Sequence, residues 1–283
     1  MFQSAGDALL ITQQQGEGDA ATTSLVQVLK TTGAKTTLVQ GFRQIKQVAV
    51  VGSAVFFLGL KTADEDWFVW KVGVGGKATK LSVATGSFLG AISDGLYFVT
   101  QGADGDHYNL SLMPSSGAKP TGTIGLSAYN GDERSIGSGA SIFYFVGSDL
   151  RRVDTAAKTD AAFSADVSGV HKSMAADATH VYWASTGPTS GATDGTVWRA
   201  PLTGGQPQLL AGAQHRPWSL AVDDEAIYWI KNASGGAGAV MKLRKNGHSA
   251  RPIVRGLNNP TDVVVDASNI YWLGDGAISV TEK

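Results

Sequence analysis

Trp218–Trp229 reads WSLAVDDEAIYW, and the pattern continues through Ala239–Gly247 (AVMKLRKNG) and Arg251–Gly256 (RPIVRG). A short apolar run ends in Asp223, four residues intervene, and Tyr228-Trp229 follows. A third run closes on Asn-Gly and a fourth on Gly. The same figure returns at Ala175–Trp183 (AADATHVYW) and Val264–Trp272 (VVDASNIYW). Asp177, Asp223 and Asp266 therefore each stand five residues before Tyr182, Tyr228 and Tyr271. Three spaced copies of one pattern identify internal repetition, which fixes the fold class before any single residue does.

Working outward, the Tyr-Trp position can be followed to Leu10-Ile11, Phe56-Phe57, Tyr97-Phe98 and Phe143-Tyr144, at intervals of 46, 41, 46, 39, 46 and 43 residues along the chain. This is the length of a four-stranded propeller blade and too short for repeated strand–helix–strand units. The runs are short, rich in Val, Ile, Leu, Phe, Tyr and Trp, and bounded by Gly, Pro, Asn or Asp, which is strand-and-turn punctuation. No segment sustains a 3.6-residue apolar period, so long helices are not expected. The expected fold is an all-β propeller of four-stranded antiparallel blades, a single domain over residues 1–283. Residues 1–45 read as a worn first copy, with Phe2–Ala5 undecided as its first strand, and the last blade lacks its own fourth strand. Seven blades is the first expectation. Six is the alternative, in which the strand near Thr36–Val39 completes the last sheet and residues 1–30 form an extension.

Composition removes several functions. Lysine and arginine total 23 against 24 acidic residues, a net charge of -1, which lacks the positive footprint of a nucleic-acid binder. The absence of cysteine removes disulfides, thiolate metal sites and a cysteine nucleophile. No stretch has the length and apolarity of a membrane span or a leader peptide. A periplasmic or extracellular protein whose leader has been removed fits the low-charge surface slightly better than a cytoplasmic one. A monomer is expected.

The Asp-x-x-x-x-Tyr-Trp repeat at 177–183, 223–229 and 266–272 resembles that of the YWTD propellers of lipoprotein-receptor type. The stretch TVWRAPLTGGQPQLLAGAQHRPWSLAVDDEAIYW (196–229) is similar to bacterial repeats of the TolB-like and NHL-like group. After Tyr-Trp the chain has Ala184-Ser185, Ile230-Lys231 and Leu273-Gly274 where the receptor pattern has Thr-Asp, so receptor ligands do not follow from the likeness. The resemblance implies a fold; function has to come from a site.

The repeated aspartates are expected to cap the turn between first and second strands through backbone N–H groups, with metal binding or catalysis as the sharper alternative. Fourth-to-first and second-to-third connections share one face in a propeller. The first set brings Arg43, Arg134, His171, Lys172, His215, Arg216 and Asn258 to the mouth, with Trp218 beside them as a stacking surface. This basic-to-polar group can attract an anion or an acidic loop. Against that stands the heavier structural reading, Trp218 as channel-lining core and His215 as a bond within its own loop. Asp104-Gly105-Asp106-His107 offers oxygen ligands for calcium or reads as a solvated turn; otherwise no cofactor or metal is expected. Lys46, Lys61, Lys71, Lys77 and Lys80 read as a solvated background. The expected function is non-catalytic binding of a protein loop or a small polar or anionic ligand at the mouth, without nucleic-acid or membrane partners. A hydrolase or lyase using His171, His215 and Glu133 in a central pocket is the alternative, and a scaffold the third.

Overall fold

The computed structural model describes residues 2–62, 66–84, 89–93, 95–102, 107–127, 134–164, 171–187, 193–247 and 249–283. They form seven antiparallel sheets in chain order. Sheet 1 is Phe2–Ala5, Ala8–Gln15, Thr22–Leu29 and Lys35–Phe42, and sheet 2 is Gln44–Val51, Ala54–Leu60, Trp67–Val72 and Ala78–Ala84. Sheet 3 is Leu89–Ile92, Gly95–Gln101, Tyr108–Pro114 and Gly122–Leu126, and sheet 4 is Ser135–Ser138, Ser141–Val146, Asp149–Asp154 and Thr159–Ser164. Sheet 5 is His171–Ala176, His180–Ser185, Gly195–Pro201 and Gln208–Gln214, and sheet 6 is Pro217–Val222, Ala226–Lys231, Gly238–Arg244 and Arg251–Leu257. Sheet 7 has three strands, Asp262–Val265, Asn269–Gly274 and Ala277–Glu282. The helical content among the described residues is two 3-10 turns, Gly18–Ala20 and Val74–Gly76, and no described helix is long and apolar enough to cross a membrane.

This is the all-β propeller architecture with seven blades. The six-blade alternative is corrected on two counts. Phe2–Ala5 is a true first strand paired with Ala8–Gln15, and Lys35–Phe42 stays in its own sheet beside Thr22–Leu29. Residues 1–30 are thus the greater part of a blade. The misleading signal was the weak alternation of FQSA, a strand of only four residues.

The chain forms two compact units, Met1–Ile142 with Arg152–Ala161, and Phe143–Arg151 with Ala162–Lys283. Inside each, one rule of burial explains the sequence pattern. A second strand has sheet neighbours on both sides and apolar layers above and below. It therefore reads as a continuous apolar run instead of an alternating one. Phe56–Leu60, Leu96–Val99 and Ala226–Ile230 are buried at every position. The fourth strands Lys35–Phe42 and Gln208–Gln214 are mostly exposed and Arg251–Leu257 is exposed or half-buried throughout, and each carries an irregularity in register. Polar side chains and bulges on an outer strand blunt its capacity to pair with other chains.

Successive sheets meet through large side chains. In the first unit Leu10, Phe42, Phe57 and Trp70 form one cluster, with Phe42 edge-on to both Phe57 and Trp70 at 4.9 and 5.0 Å between centroids. In the second, Tyr182 of sheet 5 packs with Leu220, Ile227, Trp229 and Leu243 of sheet 6. Trp70 Nε1 donates to Gly59 O at 3.0 Å, whereas the buried Trp183 and Trp229 Nε1 atoms have no acceptor among the described residues.

Two glycines set the distance between a third strand and the next blade. A Cβ on Gly195 would lie 2.4 Å from Pro217 Cδ and 2.7 Å from Gln214 O, and one on Gly238 would lie 2.6 Å from Pro260 Cδ and 2.7 Å from Leu257 O. Neither the prolyl ring nor the backbone oxygen can withdraw cheaply. Gly195→Ala and Gly238→Ala are each expected to lower the free energy of unfolding in urea by about 1–3 kcal/mol, the range for overpacking a filled interior. Gly212→Ala, with only Leu209 Cδ2 at 3.7 Å, should change it by less than about 1 kcal/mol, and equal losses at all three sites would refute the steric account.

Candidate functional site

The connections leading into sheets 6 and 7 are built alike. Residues 211–218 (AGAQHRPW) and 254–261 (VRGLNNPT) place Pro217 and Pro260 at the same point. Left-handed backbone recurs at Ala213 (φ 53) and Gly256 (φ 77), and again at Arg216 (φ 43) and Asn259 (φ 46). For an L-residue with a long side chain this conformation costs roughly 1–2 kcal/mol. Because Arg216 and Asn259 share it, the repeat imposes it, and it is no private feature of Arg216.

His215 and Asn258 occupy matching places in these connections, and Asn258 is fully engaged. Its Oδ1 accepts the Gly235 N–H at 2.9 Å, and its Nδ2 donates to Asp275 Oδ1 at 3.1 Å. Asn232 N–H donates to Arg216 O at 3.2 Å and Asn232 Nδ2 to Pro260 O at 2.8 Å. Fourth-to-first and second-to-third connections of sheets 6 and 7 therefore share one side, joined through Asn232. His215 and Asp194 stand one residue beyond the Gly195–Gln214 pair on adjacent strands. His215 Nδ1 is buried and has no hydrogen-bond partner among the described residues. The Arg216 guanidinium sits 5.9 Å from the Trp218 ring centroid and forms no salt bridge among the described residues. Trp218 also packs against the cluster of Tyr228, Ile230 and Val263, so it serves as core and as a platform at once.

The remaining predicted residues are placed differently. Arg43 lies in the first unit beside a small pocket of about 200 Å³ with Gln14, Thr23 and Gln44, and its carbonyl accepts the Thr23 hydroxyl at 3.3 Å. Arg134 is half-buried in the same unit, just before Ser135–Ser138. The His171 and Lys172 side chains, Glu133 and the acids of the calcium candidate, Asp104 and Asp106, lie outside the described residues. Among those that are described, no group of three or more His, Asp or Glu is placed to hold a metal ion. Of the lysines read as a solvated background, Lys61, Lys77 and Lys80 are exposed, and three ammonium groups also lie over aromatic rings: Lys80 Nζ 3.4 Å from the Phe68 centroid, Lys46 4.7 Å from Trp67, and Lys61 5.2 Å from Trp70. The half-buried rings of Phe68 and Trp67 and the buried ring of Trp70 attract these ammonium groups by cation–π interaction.

The repeated aspartates cap turns. Asp177 Oδ1 accepts the N–H of Thr179 and His180 at 2.7 and 2.8 Å, Asp223 Oδ1 those of Glu225 and Ala226 at 2.8 Å, and Asp266 Oδ1 those of Ser268 and Asn269 at 3.0 and 2.9 Å. The second oxygen reaches further. Asp177 Oδ2 accepts Tyr182 OH at 2.7 Å and Lys245 Nζ at 2.5 Å; Asp223 Oδ2 accepts Tyr228 OH at 3.0 Å and Lys283 Nζ at 2.5 Å. Each lysine comes from the following sheet and clamps one blade to the next. The clamp escaped the sequence reading, although Lys245 and Lys283 both close the third run of their repeats. Thr179 Oγ1 contacts His180 Nδ1 at 2.8 Å but also donates to Asp177 Oδ1 at 2.8 Å. With one proton already committed, that pair is a turn and not a nucleophile with its base.

No protein-family model matches the chain, and no curated protein sequence matches it. Solved structures do match, at sequence identities that speak for the fold alone. The β-propeller domain of the trilobed protease from Pyrococcus furiosus, described as having an open velcro topology, has a TM-score of 0.71 at 10% identity over 99% of this chain and 93% of that one. The acylaminoacyl peptidase of Pyrococcus horikoshii matches at 0.67 and 10% identity over 98% of this chain, which spans only 51% of the peptidase. Hydrazine synthase from Kuenenia stuttgartiensis matches at 0.66 and 14% identity, covering 98% and 93%. The expectation of non-catalytic binding of a protein loop or a small polar or anionic ligand at the mouth is corrected by these likenesses, which include the propeller domain of a protease and an acylaminoacyl peptidase. Of the residues expected to meet a ligand at the mouth, Asn258 is spent on neighbouring loops, through Gly235 N–H and Asp275.

The clamps carry a pH dependence. Burial pushes the Asp177 and Asp223 carboxyls upward, but Lys245 or Lys283, the tyrosine hydroxyl and two backbone N–H groups outweigh it and hold both below the ordinary carboxylate range. A carboxyl whose folded pKa is depressed contributes stability above its unfolded value, near 3.9, and loses it as pH falls toward the folded one. Asp177→Ala is expected to lower stability by about 2 kcal/mol at pH 7, the sum of a lost cap and a lost charged hydrogen bond. Urea titrations from pH 7 to below about 4 should show the wild type losing more stability than Asp177→Ala/Asp223→Ala, and parallel losses would remove the clamp from the acid response.

Proposed function

We propose that this chain is the propeller of a peptidase-type hydrolase, a module that presents peptide to bond-breaking groups outside the stretch shared with these propellers. The observation that carries this is the likeness to propellers of a protease and a peptidase over 98–99% of the chain, together with the match to only 51% of the acylaminoacyl peptidase. Within the propellers, we assign its repeats to the bacterial TolB-like and NHL-like group on Asp177–Trp183, Asp223–Trp229 and Asp266–Trp272.

The corner formed by Arg216 and Trp218 supports a specific role. A guanidinium without a salt bridge among the described residues, held over an indole, is suited to a peptide carboxylate: the fork binds both oxygens while the ring packs against the adjoining side chain. His215 stands beside it, its Nδ1 buried and without a hydrogen-bond partner among the described residues.

The experiment uses the native full-length protein with fluorogenic peptides carrying a free or an amidated C-terminus. Peptide hydrolysis is expected, with kcat/KM on the free acids about 10-fold lower in Arg216→Gly, the loss of about 1.4 kcal/mol of charged hydrogen bonding, and nearly unchanged on the amides. The same substitution should raise stability by up to about 1 kcal/mol, because glycine adopts φ 43 without strain. Absence of hydrolysis across the panel would overturn the assignment to a peptidase. Equal losses on acids and amides would remove Arg216 from carboxylate binding.

A further inference from the structure

Six of the seven sheets place an aromatic residue at the head of the paired position: Phe56, Tyr97, Phe143, Tyr182, Tyr228 and Tyr271. Sheet 1 has Leu10. The neighbourhood is otherwise reproduced. Tyr182 pairs across to Arg199 on the third strand, as Leu10 pairs to Gln27. In the next sheet Val222 pairs with Ile227, as Val50 pairs with Val55. Five residues before Tyr182 stands Asp177, the acceptor of its hydroxyl; five residues before Leu10 stands Ala5, and the acid has moved to Asp7 in the turn.

A cavity of about 470 Å³ opens at this place, between sheets 1 and 2 of the first unit. Its walls are Ala5, Leu10, Leu38, Val50, Val55 and Val72, and its polar rim is Asp7, Gln27 and Ser53. Of the wall residues only Leu10 is buried; the other five pack against the core cluster while remaining partly open. The side chains of Asp7, Gln27 and Ser53 make no hydrogen bond or ion pair among the described residues. The volume falls in the range of small-molecule sites, and apolar walls with a few convergent polar groups are their usual composition.

We propose that this cavity binds a small para-alkylphenol. The ring takes the space that tyrosine fills between sheets 5 and 6, and the hydroxyl donates to the Asp7 carboxylate as Tyr182 donates to Asp177. The volume left beyond a phenol ring accommodates an alkyl substituent along the aliphatic wall. An anionic ligand is disfavoured, since Asp7 is the charged residue of the lining and the Lys30 ammonium beside it is held by Gly6 O at 2.7 Å and Ser4 Oγ at 2.9 Å. Apolar cavities left by a missing side chain are known to accept a hydrocarbon ring of similar size, and the free polar rim adds the preference for a hydroxyl. The site is separate from the Arg216 corner and does not depend on the peptidase assignment.

Calorimetric titration and thermal shift with 4-ethylphenol, 4-ethylanisole and N-acetyltyrosinamide test the proposal. Saturable binding of 4-ethylphenol is expected, about 10-fold tighter than the methyl ether, which cannot donate to Asp7. Asp7→Asn, in an exposed turn, should reduce that preference at least threefold while leaving the fold intact. Leu10→Tyr should fill the cavity, raise the melting temperature and weaken 4-ethylphenol at least 10-fold; Val55→Phe provides the same block from the opposite wall if Leu10→Tyr fails to fold. No saturable binding, or binding unaffected by both blocking variants, overturns the site. Tighter binding of N-acetyltyrosinamide than of 4-ethylphenol overturns the small-molecule assignment in favour of a tyrosyl side chain.

Discussion

Two-sided burial of the second strand in each sheet governs this molecule. A sheet of four short strands has two apolar faces and cannot shelter both by itself. Stacking sheet against sheet removes both from water, and the second strand, most enclosed of the four, becomes apolar throughout. Phe56, Phe57 and Leu58 are each fully buried, as are Tyr228, Trp229 and Ile230. At about 25 cal/mol per Å² of apolar surface removed from water, rings of this size are the largest single contributors to the fold. Everything polar is arranged around that requirement: bulged, polar fourth strands outside, and turns held by aspartate between first and second strands.

The aspartate clamps show how a local solution becomes a tertiary one. A carboxylate that caps a turn uses one oxygen, and the second is left on the side facing the next sheet. Tyr182 and Tyr228, already committed to the intersheet layer by their rings, supply a hydroxyl to it, and Lys245 and Lys283 close the contact from the following blade. With side-chain exposures of 14–20% on both partners, these ion pairs are neither loose surface contacts nor desolvated charges. They fix one blade to the next at a defined point beside the apolar layer. Sheet 1, with Leu10 in the tyrosine position, lacks this device and has a cavity there instead.

Function is written less plainly than fold because the mouth residues serve two masters. Asn258 looks like a ligand-binding group in the sequence, yet its amide is spent on Gly235 N–H and the Asp275 carboxylate. His215 occupies the place matching Asn258 with its Nδ1 unmet among the described residues, and Arg216 faces Trp218. Identical backbone constraints therefore yield a corner before Pro260 whose asparagine is held by neighbouring loops and one before Pro217 whose arginine faces an indole.

The spacing of Asp177, Asp223 and Asp266 before their tyrosines determined the strand order, the repeat length and the aspartate caps, because turns and paired strands are local and each copy repeats the same demands. The sequence left open whether FQSA was a strand, which sheet took Lys35–Phe42, where Lys245 would reach, and what Leu10 would leave behind. Those depend on contacts between residues tens of positions apart, such as Lys245 with Asp177, and on volumes bounded by two sheets at once. No local pattern encodes them, since a pairing register or a cavity exists only after the sheets have packed.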